Sequence, residues 1–147
     1  MAFNVNFDSA NHKKDIGLAG NHAIGSATFT FTAGASNVAE VAIQLCRADG
    51  TAIVAPVNFL WWLSDAATGL GVTGTAASGT VQAKSACGTD LGVLTAKKVT
   101  RSQSLATGIY TLEITDTGKT AYYVCVECPL TGKAIVSRVM TSADYGA

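Results

Sequence analysis

The stretch GIYTLEITDTGKTAYYVCVECPLTGKAIVSRVM, residues 108–140, decides the fold class of this chain. Tyr110, Leu112 and Ile114 alternate with polar residues, and this period of two is typical of a half-buried β-strand. Two turn sequences containing Asp, Gly or Pro separate three such runs. Because strands joined by short turns usually pair, the pattern predicts a three-stranded antiparallel meander of Gly108–Thr115, Thr120–Cys128 and Lys133–Met140.

The rest of the chain continues this strand pattern. Ser26–Thr32 alternates apolar residues with threonines. Residues 36–46 also fit helical spacing, but their β-branched content favours a strand. We expect another strand at Leu91–Thr100 and a long loop, with at most one short strand, at the glycine-rich Ala66–Gly79. Together these runs predict an all-β protein, an antiparallel β-sandwich or jelly-roll-like single domain.

The chain length and the ends of the pattern set the domain organisation. The chain has 147 residues, which is the size of one domain. We expect an extended N-terminal arm at residues 1–25, the sandwich at 26–141 and a short tail at 142–147. The arm is polar and shows no firm periodicity. Both end segments are interpreted either as fraying ends or as segments that become ordered on a neighbouring subunit.

Composition and charge argue against two classes of partner. Ten basic and ten acidic residues give a net charge of +0, whereas a nucleic-acid-binding protein normally carries a basic stripe. No apolar run approaches the length of a membrane helix, and the N-terminus lacks the pattern of a signal peptide. We therefore expect no nucleic-acid partner, no membrane partner and synthesis in a cytoplasm.

The cysteines form one candidate metal motif, Cys125-x-x-Cys128. A structural zinc site usually needs a second pair of ligands, but Cys46 and Cys87 stand alone. Residues three apart on a strand also face opposite sides, so both thiols bind one ion only if the strand bends. We expect buried free thiols, no metal and no cofactor.

Catalytic patterns are also weak. The chain has no Gly-x-Ser-x-Gly sequence, the nucleophile motif of many hydrolases. Glu113 and Glu127 fall on adjacent strands of the predicted meander, where two carboxylates could hydrolyse sugars. Like charges directly opposite each other on a sheet are unfavourable, so we predict that the protein is not an enzyme.

Two aromatic pairs are the best candidates for a functional surface: Trp61 with Trp62 and Tyr122 with Tyr123. Neighbours on a strand point to opposite faces, so one ring of each pair is expected to point outward. Tryptophan and tyrosine are enriched at the centres of protein interfaces, and exposed rings also stack on sugars. We expect another subunit or the N-terminal arm to cover Trp62; the alternative is the loop Ala66–Gly79.

Several segments resemble small β-rich structural proteins of tailed bacteriophages. They are Leu60–Gly69 (LWWLSDAATG), Gly88–Lys97, Gly108–Lys119 (GIYTLEITDTGK), Tyr122–Val124 and Pro129–Lys133. The resemblance covers roughly residues 38–140 and carries no catalytic motif. It implies a structural role, as a capsid decoration (cement) protein or another small virion component. Such proteins are β-sandwiches or jelly rolls, often trimeric, that bind the outside of the shell.

The leading hypothesis from the sequence is therefore a virion structural protein that decorates and stabilises the capsid. The resemblance implies the major capsid protein and further copies of this chain, as a homotrimer, as partners, and a location on the capsid surface. Two alternatives remain. One is a carbohydrate-binding module of a fibre or adhesin, and the other is a head–tail or tail component.

Overall fold

The computed structural model describes residues 23–147, which form two antiparallel β-sheets packed together. The predicted all-β sandwich is therefore confirmed. Nine strands and one turn of 3-10 helix make up this part of the chain: β1 (Ser26–Ala33), β2 (Val38–Cys46), β3 (Asn58–Ser64), β4 (Val81–Ala83), β5 (Thr89–Thr95), β6 (Val99–Gln103), β7 (Ile109–Thr115), β8 (Tyr123–Glu127), β9 (Ala134–Val139) and the turn Ser142–Asp144.

The two sheets have four and five strands and enclose one core. The four-stranded sheet has the order β1-β2-β7-β4, and the five-stranded sheet has the order β5-β6-β3-β8-β9. Alternate residues of the central strands point inward, as a period of two requires. The buried core side chains include Val41, Ile43, Leu45, Phe59, Trp61, Leu63, Tyr110, Leu112, Ile114, Val124 and Val126.

The predicted three-stranded meander is wrong in one connection. β7 pairs with β2 and β4, whereas β8 pairs with β3 and β9 in the other sheet. The chain crosses between the sheets at a turn around Asp116. Thr120, Ser78 and Gly118 each donate a backbone N–H to its carboxylate. Burial alone would raise the pKa of Asp116, but these hydrogen bonds outweigh burial and lower it to about 2.

The sequence predictions for residues 91–100 and 66–79 differ in outcome. Leu91–Thr100 is not one strand: β5 ends at Thr95, a turn with Lys97 at a φ of 61° follows, and β6 begins at Val99. Ala66–Gly79 is a loop, as predicted, and contains no strand. No helix between residues 23 and 147 has the length and apolar character needed to span a membrane.

The C-terminal tail packs against the sandwich. Tyr145 is buried, and its hydroxyl donates to the backbone oxygen of Thr120 at 2.8 Å. The carboxylate of Asp144 binds the Arg138 guanidinium at 2.6 Å, and the hydrogen bonds from Arg138 lower the pKa of Asp144 to about 2. The expectation that the tail frays is therefore wrong.

The expected N-terminal arm, residues 1–25, lies almost wholly outside the described residues, which begin at Ala23. Ile24 is already part of the core. Its backbone oxygen accepts a hydrogen bond from the Cys128 thiol at 3.4 Å. The chain therefore enters the sandwich beside the end of β8.

Candidate interaction site

The two aromatic pairs divide between the core and the surface. Trp61 and Tyr122 are completely buried, so their rings contact only this chain. Trp62 and Tyr123 are partly exposed and lie on the outer face of the five-stranded sheet. Of the four residues expected at an interface, only Trp62 and Tyr123 are therefore accessible to a partner.

The buried ring of Trp61 belongs to a hydrogen-bond network that joins the two sheets. Its indole N–H donates to Ser102 Oγ at 2.9 Å, and Ser102 Oγ donates to Asp90 Oδ1 at 2.7 Å. From the other sheet, the Tyr110 hydroxyl also donates to Asp90 Oδ1 at 2.7 Å. Asp90 Oδ2 accepts the backbone N–H of Ala83 at 2.8 Å. Burial raises the pKa of Tyr110 far above its usual range, so the hydroxyl stays a donor.

The loop after β3 covers one edge of the Trp62 ring, which is the alternative that the sequence left open. The indole N–H of Trp62 donates to the backbone oxygen of Gly69 at 3.0 Å. Gly69 has a φ of +71°, and a Cβ on it would lie 2.7 Å from Ala134 Cβ and 2.8 Å from Val136 Cγ2. Only glycine allows the loop to lie this close to the sheet. The same loop buries the Cys125 thiol from the outer face.

The position of this loop is fixed at its base by Asp65. The carboxylate of Asp65 accepts hydrogen bonds from the Thr73 hydroxyl and, at 2.9 Å, from the backbone N–H of Gly74. Both hydrogen bonds lower the pKa of Asp65, and the bond from Thr73 has the larger effect. Because these bonds favour the charged form, the loop is held most firmly when Asp65 is ionised.

A groove of about 640 Å³ lies beside the loop and exposes the rest of the Trp62 surface. Leu70 and Val72, on the loop, are 78% and 47% exposed, although both are apolar. Glu127 and Lys133 are the charged residues of the lining. The full lining is Leu60, Trp62, Thr68, Gly69, Leu70, Gly71, Val72, Val99, Glu127, Gly132, Lys133 and Ala134. A groove with this apolar lining suits apolar side chains better than a strongly polar ligand.

A second apolar surface lies on β5, at the edge of the five-stranded sheet. The register between β5 and β6 slips twice, so that Leu91 and Leu94 have no partner residue on β6. Leu91, Val93 and Leu94 are 48%, 63% and 59% exposed. A β-bulge can redirect a side chain at a sheet edge, and here both bulges carry a leucine into solvent. The strand pattern at residues 91–100 did not predict this surface, although Gly92 within it is a recognised signal of a bulge.

The cysteine side chains are mostly buried in the described part of the chain. Cys46, Cys125 and Cys128 are buried, as predicted, and Cys87 is partly exposed. Burial raises the pKa of Cys125 to about 12. No three histidine, cysteine, aspartate or glutamate side chains within residues 23–147 are grouped closely enough to hold a metal ion.

The proposed pair of carboxylates is also separated. Glu113 lies on β7 and Glu127 on β8, which belong to different sheets. Glu113 instead lies opposite Glu40 on β2. Lys84 forms a 2.6 Å ion pair with Glu40, and this ion pair offsets the repulsion between the two carboxylates. The prediction that Glu113 and Glu127 lie on adjacent strands is therefore wrong.

Comparison of the chain with protein-family models, with curated proteins and with solved structures gives no match.

Proposed function

We propose that this protein is a structural component of a tailed-bacteriophage virion that decorates and stabilises the capsid. Its partners in this proposal are further copies of itself, as a homotrimer, and the major capsid protein. Two things support it. One is the resemblance of residues 38–140 to such proteins, and the other is the exposed apolar edge strand β5.

The exposed apolar side chains of edge strand β5 are the main support for the proposal. Exposed apolar edge strands promote association with other proteins, and soluble proteins usually protect such edges with charged residues. Here Leu91, Val93 and Leu94 stand on the edge with no charged residue between them. The two bulges interrupt continuous strand pairing, so we expect the three side chains to pack against a partner instead of a partner strand extending the sheet.

The neutral net charge of the chain and the symmetry of a capsid shell are both consistent with a trimer that decorates the capsid. A net charge of +0 gives little repulsion between copies of a protein. A trimer presents three identical surfaces to a shell, and simultaneous attachment turns weak contacts into tight binding. Such a protein needs a rigid sandwich and association surfaces, and it does not need a catalytic site.

Native mass spectrometry and a shell-binding assay test the proposal. We expect a trimer that binds capsids lacking this protein and raises their resistance to heat. Leu91→Lys with Leu94→Lys places two charges on the edge and should give monomers. Val54→Lys is the matched control, because Val54 is 75% exposed but lies outside the strands. A wild-type protein that neither associates nor binds such capsids would overturn the proposal.

A carbohydrate-binding module of a fibre or adhesin is the second candidate. The observation that favours it is the partly exposed Trp62 ring in a groove that also contains Glu127 and Lys133. Sugar binding combines ring stacking with polar contacts, whereas most of this lining is apolar. A glycan array with the wild-type protein and Trp62→Ala tests this function, and the absence of any bound glycan removes it. A head–tail component would instead form rings of six or twelve copies.

A further inference from the structure

The groove beside Trp62 exposes apolar side chains that the described chain leaves uncovered. Leu70 is 78% exposed at one wall, and Trp62 is only partly covered by the Gly69 loop. Because removing apolar surface from water lowers the free energy, an apolar segment is the natural occupant of the groove.

The entry point of the chain identifies a candidate segment. The description begins at Ala23, and Ile24 is hydrogen-bonded to Cys128 at the end of β8. The turn that follows Cys128 leads directly to Gly132 and Lys133, which line the groove. The described part of the chain therefore begins next to the groove wall.

The sequence of that segment matches the groove in chemistry. The N-terminal arm as a whole is polar and has no firm periodicity, but its first residues include one short alternation: Phe3, Val5 and Phe7 are separated by Asn4 and Asn6. In an extended conformation, alternate side chains lie on one side, so three apolar groups can face the groove while both asparagines face water. Residues 8–22 provide up to about 50 Å of chain, which is ample for a groove this close to the entry point.

We propose that Phe3–Phe7 of the chain's own N-terminal segment binds in the groove and covers Trp62. The tether favours the chain's own segment over a second copy, because it holds the segment near the groove at a high effective concentration. This inference is independent of the proposed virion role.

Hydrogen exchange on the full-length protein tests this binding. We expect slowed exchange at residues 3–7 and at the Leu70 loop. Trp62→Ala should speed exchange at residues 3–7 while the core strands keep their protection. Leu130→Ala is the control, because Leu130 is 57% exposed and does not line the groove. Rapid exchange at residues 3–7 in the wild type, or protection unaffected by Trp62→Ala, would overturn the proposal.

Substitutions within the segment provide an independent measurement. Phe3→Ser with Phe7→Ser should lower the equilibrium constant for binding of the segment at least about tenfold for each ring removed, given the free energy of burying such a side chain. Acrylamide should then quench Trp62 more strongly, while Trp61 stays shielded by its burial. Asn4→Ser with Asn6→Ser should leave the quenching unchanged. Equal quenching of both double variants contradicts the proposal.

A dilution experiment shows whether the groove holds the segment of its own chain or that of a second copy. A segment that binds within its own chain gives exchange rates that do not change with dilution. Protection of residues 3–7 that falls on dilution would assign the segment to a second copy and overturn the intramolecular arrangement.

Discussion

Replacing Asp90 by alanine should destabilise the sandwich more than the same replacement of any other aspartate or glutamate whose side chain is similarly exposed. Asp90 accepts hydrogen bonds from Ser102, Tyr110 and the backbone of Ala83. Ser102 and Tyr110 are fully buried, so their hydroxyl groups would lose the carboxylate oxygen to which both donate. Each unsatisfied buried donor costs about 1–3 kcal/mol. We therefore expect a loss of about 4 kcal/mol, a large share of a typical stability of roughly 5–15 kcal/mol.

Two conservative variants separate the network from the mere loss of a side chain. Asp90→Asn keeps one oxygen for both hydroxyl groups and loses only the acceptor for Ala83, so we expect a cost of about 1 kcal/mol. Tyr110→Phe removes a donor but leaves no unsatisfied partner, and we again expect about 1 kcal/mol. In the Tyr110→Phe background, Asp90→Ala should cost about 1–2 kcal/mol less than in the wild type, because one donor is already gone.

Urea unfolding followed by tryptophan fluorescence measures these values, since Trp61 donates to the same network. Glu127→Ala is the control, because Glu127 is exposed and such changes usually stay within about 0.5 kcal/mol. A cost below about 1 kcal/mol for Asp90→Ala, or strictly additive effects of Asp90→Ala and Tyr110→Phe, would refute the reasoning.

Three further predictions follow from local geometry. Gly69→Ala should destabilise the protein by about 1–3 kcal/mol more than Gly71→Ala in thermal unfolding, because both have positive φ but only a Cβ on Gly69 would meet the sheet; equal effects would contradict the packing of the loop. Asp116 and Asp144 have folded pKa values of about 2, below the usual value near 3.9. Each should therefore contribute roughly 2 kcal/mol above about pH 4 that is lost as the pH falls towards 2, and Asp144→Asn should flatten the measured pH dependence. Among the four cysteines, a thiol reagent should label the partly exposed Cys87 first in the native protein, and mass spectrometry after brief labelling identifies the site; faster labelling of a buried thiol would count against the fold.

The sequence identified most strands because strand alternation is a local property. The side-chain period of Tyr110, Leu112 and Ile114 specifies a buried face whatever strand lies beside it. The same rule predicted that one ring of the Trp61–Trp62 pair points into the core and the other outward, as the structure shows. The buried thiols and the long loop Ala66–Gly79 also follow from residue type and composition.

Strand pairing and the candidate site depend on contacts between residues far apart in the chain, which local patterns do not encode. β7 has the same alternation whether it pairs with β8 or, as here, with β2 and β4. The contact of Asp90 with Tyr110, the loop across Trp62 and the groove beside it all depend on which sheets face each other. The sequence by itself determined which faces of the strands are buried, because the alternation is local. Only the tertiary structure decided which apolar groups remain at the surface, because that depends on what the rest of the chain covers.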